Sequence, residues 1–314
     1  MSVTVFSPAK INLFLAVTGR RTDGFHDLVS VVAPLEFGDT LEARSREQGA
    51  KSGQRETPSR FSLECDDPAV PTDGTNLILK AATAFAVATG WPGGVHFKLT
   101  KRIPMGAGLG GGSSNAVAAL RALNRLSGDR ASEAQLSTLA GGLGSDCAAF
   151  LHHAPVLMRG RGEQVEVLPD SAAQRLGGRS LVVFKPSFGV STPWAYGRMV
   201  ARGTDYIAPA EAERRLGSWI TGDAPAEELL FNNMEGAAFE KFIALPTLAA
   251  KLSRHFGVTV RMSGSGSACF AFVRDDRVTT DLGTRIRECW GPAAFLQVTR
   301  IPQSSALTAP RRAT

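Results

Sequence analysis

The glycine-rich segment at residues 104–115 is the part of the sequence best suited to chemistry. It reads PMGAGLGGGSSN and lies between a predicted strand and a predicted helix. Glycine lets backbone amides turn toward a ligand, and a helix N-terminus adds unpaired N–H groups with a partial positive charge. We therefore predict a cradle for a polyphosphate, formed by the amides of residues 106–112 and two serine hydroxyls. The predicted site comprises Pro104, Met105, Gly106, Ala107, Gly108, Leu109, Gly110, Gly111, Gly112, Ser113 and Ser114.

Two other interpretations of this segment stay open from the residues alone. Gly106, Gly108 and Gly111 satisfy the G-x-G-x-x-G pattern of dinucleotide sites, and Asp129 follows at about the distance of the ribose-binding acid. Such a site normally follows the first strand of a βαβ unit, however, and several β-rich segments precede this one. A flexible surface linker is the second interpretation. The Walker pattern is absent, because no Gly-Lys-Ser/Thr follows the glycines.

Two shorter segments could complete a site. Residues 7–12, SPAKIN, place Lys10 and Asn12 in an otherwise apolar strand. Residues 262–268, MSGSGSA, form a second turn of small residues. Taken singly, the first segment indicates a charge on an edge strand and the second a tight hairpin.

The elements that must position these segments follow from the hydrophobic pattern. β-Branched and apolar runs predict strands in the first half at Val3–Phe6, Ile11–Val17, Leu28–Leu35 and Val95–Thr100. Apolar residues at every third or fourth position predict helices at Asn76–Thr89 and Ser113–Leu126. The glycine-rich segment thus joins the strand at residue 100 to the helix at residue 113.

A second layer of strands and helices is predicted beyond residue 160. Strands are expected at Leu181–Phe184, Val258–Met262 and Cys269–Val273, and helices near Trp194–Val200 and Glu235–Phe256. The stretch from residue 160 to residue 178 shows the least regular pattern of apolar and polar residues. Because a chain of 314 residues exceeds the usual size of one hydrophobic core, we predict two domains, at residues 1–165 and 166–314.

Composition excludes several classes of protein. The chain is 43% hydrophobic and 20% charged, as globular proteins are. Its net charge of +6 resides in residues 44–60, an expected exposed loop, and residues 300–314, so a nucleic-acid partner is not expected. No apolar run could span a membrane and no signal peptide is evident, which predicts a cytoplasmic protein. The cysteines and histidines lack metal-binding spacing, so no metal ligands are identified.

The glycine-rich segment and the two shorter motifs, in this order, resemble the three motifs of the galactokinase, homoserine kinase, mevalonate kinase and phosphomevalonate kinase superfamily. Residues 104–114 resemble its ATP-binding loop, and residues 263–266 its C-terminal glycine turn. The resemblance implies an α+β fold with an N-terminal ATP-binding domain and a C-terminal α/β domain, and an active site in the cleft between them. It also implies ATP and Mg²⁺, with Ser114 a possible contact to the metal.

Further segments resemble the branch of this superfamily that phosphorylates the 2-hydroxyl of a cytidine diphosphate methylerythritol substrate in the non-mevalonate isoprenoid pathway. They are residues 8–15, 19–28, 144–146 and 190–196. Kinases of the homoserine or mevalonate type share the loop but lack the segment at 19–28. An NAD(P)-binding oxidoreductase is a further alternative.

The resemblance assigns roles to individual residues. Asp146 is implied to accept the proton of the substrate hydroxyl, and Lys10 to keep Asp146 ionised while stabilising the transferring phosphoryl group. Phe25 and Tyr196 are implied to sandwich the cytosine, His26 to bind its edge, and Asn12 to contact the substrate.

The sequence departs from the family pattern at three places. Phe25 stands where the family commonly has tyrosine. Residues 232–235, Asn-Asn-Met-Glu, stand where Asn-Asp-Leu-Glu is usual, and residues 147–149, Cys-Ala-Ala, stand where a Val-Pro-hydrophobic run is usual.

Overall fold

The computed structural model describes residues 1–46 and 59–303. Two compact units interleave along the chain. Unit 1 comprises Met1–Ala9, Gly38–Ile103 and Gly110–Leu151, and unit 2 comprises Lys10–Phe37, Pro104–Leu109 and His152–Thr314. The interleaving arises because two long strands, β1 (Ser2–Arg20) and β2 (His26–Arg46), each contribute residues to both units. Each of these two units therefore consists of several separate segments of the chain. The predicted domain division at residue 165 stays a prediction.

Unit 1 packs helices against strands. Its elements are β3 (Phe61–Cys65), α1 (Leu77–Thr89), β4 (Gly94–Thr100), α2 (Gly111–Leu126), α3 (Glu133–Leu143) and a 3₁₀ helix (Ala148–Leu151). Strand β4 pairs antiparallel with residues 40–46 of β2 and parallel with β3. Helix α1 begins after Asn76, whose side chain accepts a hydrogen bond from the N–H of Ile78, and is followed by Gly90, which has a left-handed backbone conformation. Phe85 and Phe97 are fully buried in the core of this unit.

Unit 2 contains the remaining elements. They are β5 (Val156–Arg159), β6 (Gln164–Val167), α4 (Asp170–Leu176), β7 (Ser180–Lys185), α5 (Thr192–Arg202), α6 (Pro209–Thr221), α7 (Ala226–Leu229), β8 (Phe231–Asn232), α8 (Met234–Lys241), α9 (Ala244–Phe256), β9 (Val260–Met262), β10 (Cys269–Phe272), α10 (Asp276–Trp290) and β11 (Phe295–Arg300). An antiparallel sheet has the order β11-β7-β10-β9. Elsewhere, β8 pairs parallel with β1 at Phe14 and Leu15, and β5 pairs antiparallel with β2.

The α+β fold class is confirmed, and so are the strand and helix on either side of the glycine-rich segment. The two strands predicted near the N-terminus are one continuous strand, β1, and the helical region from residue 235 breaks between α8 and α9. Strand β6 and helix α4 lie within residues 160–178, the stretch whose sequence shows the least pattern. Of the predicted loop at 44–60, residues 44–46 end β2, whereas residues 47–58 lie outside the described residues.

Within the described ranges, none of the helices has the length and apolar character needed to cross a membrane.

Candidate active site

The glycine-rich segment forms a turn in which every second residue has a positive φ. Gly106, Gly108 and Gly110 have φ values of +61°, +74° and +70°, a region that residues with a Cβ atom rarely adopt. Ala107 and Leu109, between them, are buried. The glycines therefore set the path of the backbone, while the two apolar side chains hold it against the core.

Backbone hydrogen bonds bring this segment together with both shorter motifs inside unit 2. The N–H of Lys10 donates to the carbonyl oxygen of Leu109 at 3.0 Å. The N–H of Ala268 donates to the carbonyl oxygen of Ala107, also at 3.0 Å. Three motifs that are far apart in the sequence therefore meet at one place.

Gly108 is the position where the segment and the C-terminal glycine turn approach most closely. The hydroxyl of Ser263 donates to the carbonyl oxygen of Gly108 at 2.9 Å. A Cβ atom added to Gly108 would lie 2.1 Å from the carbonyl oxygen of Ser263 and 3.1 Å from the amide nitrogen of Gly266. Only glycine permits this approach.

Lys10 and Asn12 lie inside unit 2 rather than on an exposed edge. They are 3% and 5% exposed. The Lys10 ammonium donates to Asn12 Oδ1 at 2.5 Å, and Asn12 Nδ2 donates to the hydroxyl of Ser30 at 2.9 Å. The hydroxyl of Ser30 in turn donates to the carbonyl oxygen of Phe14 at 2.6 Å. Asn12 thus holds the Lys10 side chain in a defined direction; its predicted contact with substrate stays a prediction.

The first turn of α2 is fixed within unit 1 by Ser7. Ser7 Oγ lies 2.7 Å from Ser114 Oγ and 2.6 Å from Asn115 Oδ1, and all three side chains are buried. Ser113 is partly exposed. The hydroxyl of Ser114 is therefore engaged inside the protein, and Ser113 is the more accessible of the two predicted phosphate-binding serines.

A buried ion pair supports the chain just before the glycine-rich segment. The Asp39 carboxylate accepts hydrogen bonds from Lys101 Nζ at 2.8 Å and from the N–H groups of Arg102 and Ile103 at 2.6 and 2.7 Å. A Cβ atom on Gly111 would lie 3.2 Å from Lys101 Nζ. Sequence reasoning missed Asp39, which nothing in its local pattern distinguishes from an ordinary turn residue.

Asp146 lies next to the start of α2 in unit 1. It is partly buried and precedes the 3₁₀ helix by one residue, Cys147. Burial raises the pKa of the Cys147 thiol to about 11; a hydrogen bond with Ser113 lowers it and the charge of Asp146 raises it. A Cβ atom on Gly144 would lie 3.5 Å from the Cys147 sulfur and 4.0 Å from the Ser113 hydroxyl. Asp146, Cys147 and Ser113 are therefore neighbours.

Aromatic side chains surround His26 in unit 2. The His26 ring stacks on Tyr196 with centroids 4.5 Å apart, and its Nε2 lies 3.1 Å from the hydroxyl of Tyr206. Burial, followed by the charge of Arg20, lowers the pKa of His26. Phe25 is 51% exposed, and the guanidinium of Arg161 lies 4.8 Å from its ring centroid. Sequence reasoning missed Tyr206, whose surroundings carry no motif.

The residues 232–235, Asn-Asn-Met-Glu, position the C-terminal glycine turn. Asn232 Nδ2 donates to the carbonyl oxygens of Met262 and Gly264 at 2.7 and 2.9 Å. Glu235 Oε1 accepts a hydrogen bond from the N–H of Met262 at 2.8 Å, and burial raises the pKa of this carboxyl group. Sequence reasoning treated this motif only as a departure from a pattern, although two amides just before a helix and an acid in its first turn are a usable signal.

Residues 1–46 and 59–303 contain no group of three or more His, Cys, Asp or Glu side chains that could hold a metal ion.

Comparison with known proteins places the chain among small-molecule kinases. Residues 76–154 match the family model described as the GHMP kinases N terminal domain. The 4-diphosphocytidyl-2-C-methyl-D-erythritol kinase of Methylacidiphilum infernorum is 36% identical over 305 residues, which cover 95% of this chain and 96% of that protein. The enzyme of the same name from a Synechococcus strain is 38% identical over 305 residues, 94% of each chain.

Solved structures give the same grouping. A crystal structure of 4-(cytidine 5'-diphospho)-2C-methyl-D-erythritol kinase matches with a TM-score of 0.72 and 34% identity, over 95% of this chain and 99% of that one. A homoserine kinase from Cytophaga hutchinsonii has a TM-score of 0.70 at 19% identity, over 96% of this chain and 95% of that one, which shows a shared fold.

Proposed function

The chain belongs to the 4-diphosphocytidyl-2-C-methyl-D-erythritol kinase family, and we propose that it transfers the γ-phosphoryl group of ATP to the 2-hydroxyl of that substrate, a step in the non-mevalonate isoprenoid pathway. The observation that carries the proposal is the meeting of three motifs in unit 2, where Lys10, the glycine-rich segment and the C-terminal glycine turn share backbone hydrogen bonds. A dinucleotide site would need the glycine-rich segment but neither of the other two motifs.

The glycine-rich segment and the first turn of α2 bind the phosphates of ATP. Positive φ values at Gly106, Gly108 and Gly110 supply the backbone shape of such a cradle, and the N-terminus of α2 adds partial positive charge. Ser113, partly exposed at this end of the helix, donates its hydroxyl to a phosphate oxygen. When Mg²⁺ is bound with the nucleotide, it would supply neutralisation of phosphate charge, and phosphate oxygens and water would be its main ligands.

Lys10 and Asp146 carry the chemistry. Phosphoryl transfer needs positioning and charge stabilisation more than covalent participation by the protein. The ammonium of Lys10, buried and held by Asn12, is preorganised to stabilise negative charge on the transferring group. The carboxylate of Asp146 accepts or orients the proton of the attacking hydroxyl.

Aromatic residues of unit 2 recognise the cytidine part of the substrate. Phe25 is exposed enough to offer a ring face to a base once Arg161 moves aside. Tyr196 and His26, already stacked on each other, supply a second ring face and a polar edge.

The four cysteines are free thiols, which supports a cytoplasmic location.

The test is release of ADP from Mg-ATP in the presence of 4-diphosphocytidyl-2-C-methyl-D-erythritol. Asp146→Asn and Lys10→Ala should each lower kcat by about 10²-fold or more. Asp129→Asn and Lys80→Ala are matched controls, because both side chains are exposed, and we expect them to retain wild-type turnover. Asp129 is also the acid that a dinucleotide site would use.

Absence of turnover in the wild-type protein would refute the proposal. Near-normal kcat in folded Asp146→Asn would refute the role of that residue. NADH binding that Asp129→Asn abolishes would instead favour an oxidoreductase.

A further inference from the structure

Tyr206 lies in the segment between α5 and α6 and has no role in the function described so far. Its hydroxyl oxygen is 3.1 Å from His26 Nε2, although the two residues are separated by 180 positions in the sequence. The two rings are stacked, with centroids 6.0 Å apart and planes inclined by 21°. His26 therefore contacts Tyr196 through a ring face and Tyr206 through a ring nitrogen.

Asn233 fixes the backbone on which Tyr206 sits. Asn233 Nδ2 donates to the carbonyl oxygens of Asp205 and Val17, both at 2.8 Å, and its Oδ1 accepts from the N–H of Val17 at 2.9 Å. The N–H of Ile207 donates to the same Val17 carbonyl at 3.3 Å. Ile207 is thus attached to β1 directly, and Asp205 is attached to it through Asn233. The backbone on either side of Tyr206 is fixed, and the hydrogen bond and stacking with His26 orient the tyrosine ring.

The hydrogen bond to Tyr206 determines what the other nitrogen of His26 can offer. A neutral imidazole has one N–H donor and one acceptor nitrogen, and a tyrosine hydroxyl can donate or accept, so the direction of this hydrogen bond and the tautomer of His26 are tied together. When the hydroxyl donates to Nε2, the ring hydrogen lies on Nδ1. Burial and Arg20 favour the neutral form of His26. With Tyr206 on Nε2, the remaining Nδ1 is the nitrogen left for a ligand.

We propose that the Tyr206 hydroxyl donates to Nε2 of His26 and so keeps the ring hydrogen on Nδ1, which makes Tyr206 a positioning residue for recognition of the cytosine. This inference rests on the proposed function. Cytosine presents two acceptors, O2 and N3, to an Nδ1–H donor, whereas N3 of uracil is itself a donor. A fixed Nδ1–H therefore favours the cytidine substrate over its uridine analogue, since an unmatched polar group discriminates strongly in a binding site.

Kinetics of Tyr206→Phe test the positioning role, because this change removes the hydroxyl and keeps the ring. We expect KM for the cytidine substrate to rise about 3- to 10-fold, the effect of one hydrogen bond, with kcat and KM for ATP nearly unchanged. The preference for the cytidine substrate over its uridine analogue should fall by a similar factor. Thr280→Val is the control for hydroxyl loss, because Thr280 is exposed on α10 and its hydroxyl donates to the Asp276 carbonyl oxygen of the same helix.

Long-range ¹H–¹⁵N spectra of the wild-type imidazoles test the tautomer and need no variant beyond His26→Gln for assignment. We expect the hydrogen of His26 on Nδ1. A hydrogen on Nε2 would overturn the inference, and so would an unchanged KM in Tyr206→Phe when the wild-type enzyme turns over the cytidine substrate. No turnover by the wild-type protein would overturn the proposed function and this role together.

Discussion

Replacement of Gly108 by alanine should damage the glycine-rich segment more than the same replacement at Gly106, Gly111 or Gly112. The new Cβ atom would lie 2.1 Å from the carbonyl oxygen of Ser263, where ordinary contact begins at 3.4 Å. The segment and the C-terminal glycine turn would have to separate by roughly 1 Å, which would break the hydrogen bonds from Ser263 to Gly108 and from Ala268 to Ala107.

The expected loss of stability follows from three contributions. A positive φ costs a residue with a Cβ atom about 1–2 kcal/mol. Overpacking adds about 1–3 kcal/mol, and the two hydrogen bonds about 0.5–1.5 kcal/mol each. We therefore expect Gly108→Ala to lower the free energy of unfolding by roughly 3–8 kcal/mol.

Gly106→Ala is the matched control in the same turn. Gly106 also has a positive φ, +61°, but a Cβ atom there would have nothing within 4 Å. We expect a loss of only about 1–2 kcal/mol. Urea denaturation of the two variants gives the difference, and KM for ATP should rise more in Gly108→Ala. Equal destabilisation of both variants would refute the claim that the contact with Ser263 fixes the segment.

Two further variants test the buried carboxylates. Asp39→Asn should lower the free energy of unfolding by about 3–5 kcal/mol, because it leaves the Lys101 ammonium buried without its counter-charge; urea denaturation measures this loss. Asp66→Asn is the matched control, since Asp66 is 42% exposed and should cost at most about 1 kcal/mol, so equal losses would contradict the argument. The free energy of unfolding of Glu235→Gln, relative to that of wild type, should increase as pH rises from 4.5 toward 8. Burial raises the folded-state pKa of Glu235, so its stabilising contribution is complete below the unfolded value and is lost as pH rises through the folded value. Urea midpoints at both pH values measure this difference, and a constant difference would contradict it.

Much of the fold near the glycine-rich segment could be predicted, because its signals are local. The apolar period of α2 and the β-branched run of β4 depend on neighbours within a few residues. The convergence on Lys10 required family resemblance, since no local pattern relates residue 10 to residue 109.

Other contacts of the candidate site could not be predicted either, because the residues that form them are far apart in the sequence. Tyr206 and His26 meet across 180 positions, and Asp39 is defined by partners more than 60 positions away. The weak pattern at 160–178 concealed β6 and α4, because short elements with one exposed face contain too few apolar residues to show a period.

The interleaving of the two units has a consequence for the order in which the protein can fold during synthesis. The ribosome releases Leu15 and Val17 early, yet the core in which they are buried includes Met234, Leu248 and Leu252, more than 200 positions later. Unit 1, by contrast, is complete in sequence once residue 151 has emerged. The apolar residues of β1 that belong to this core therefore lack their final packing partners until the chain beyond residue 250 has been synthesised.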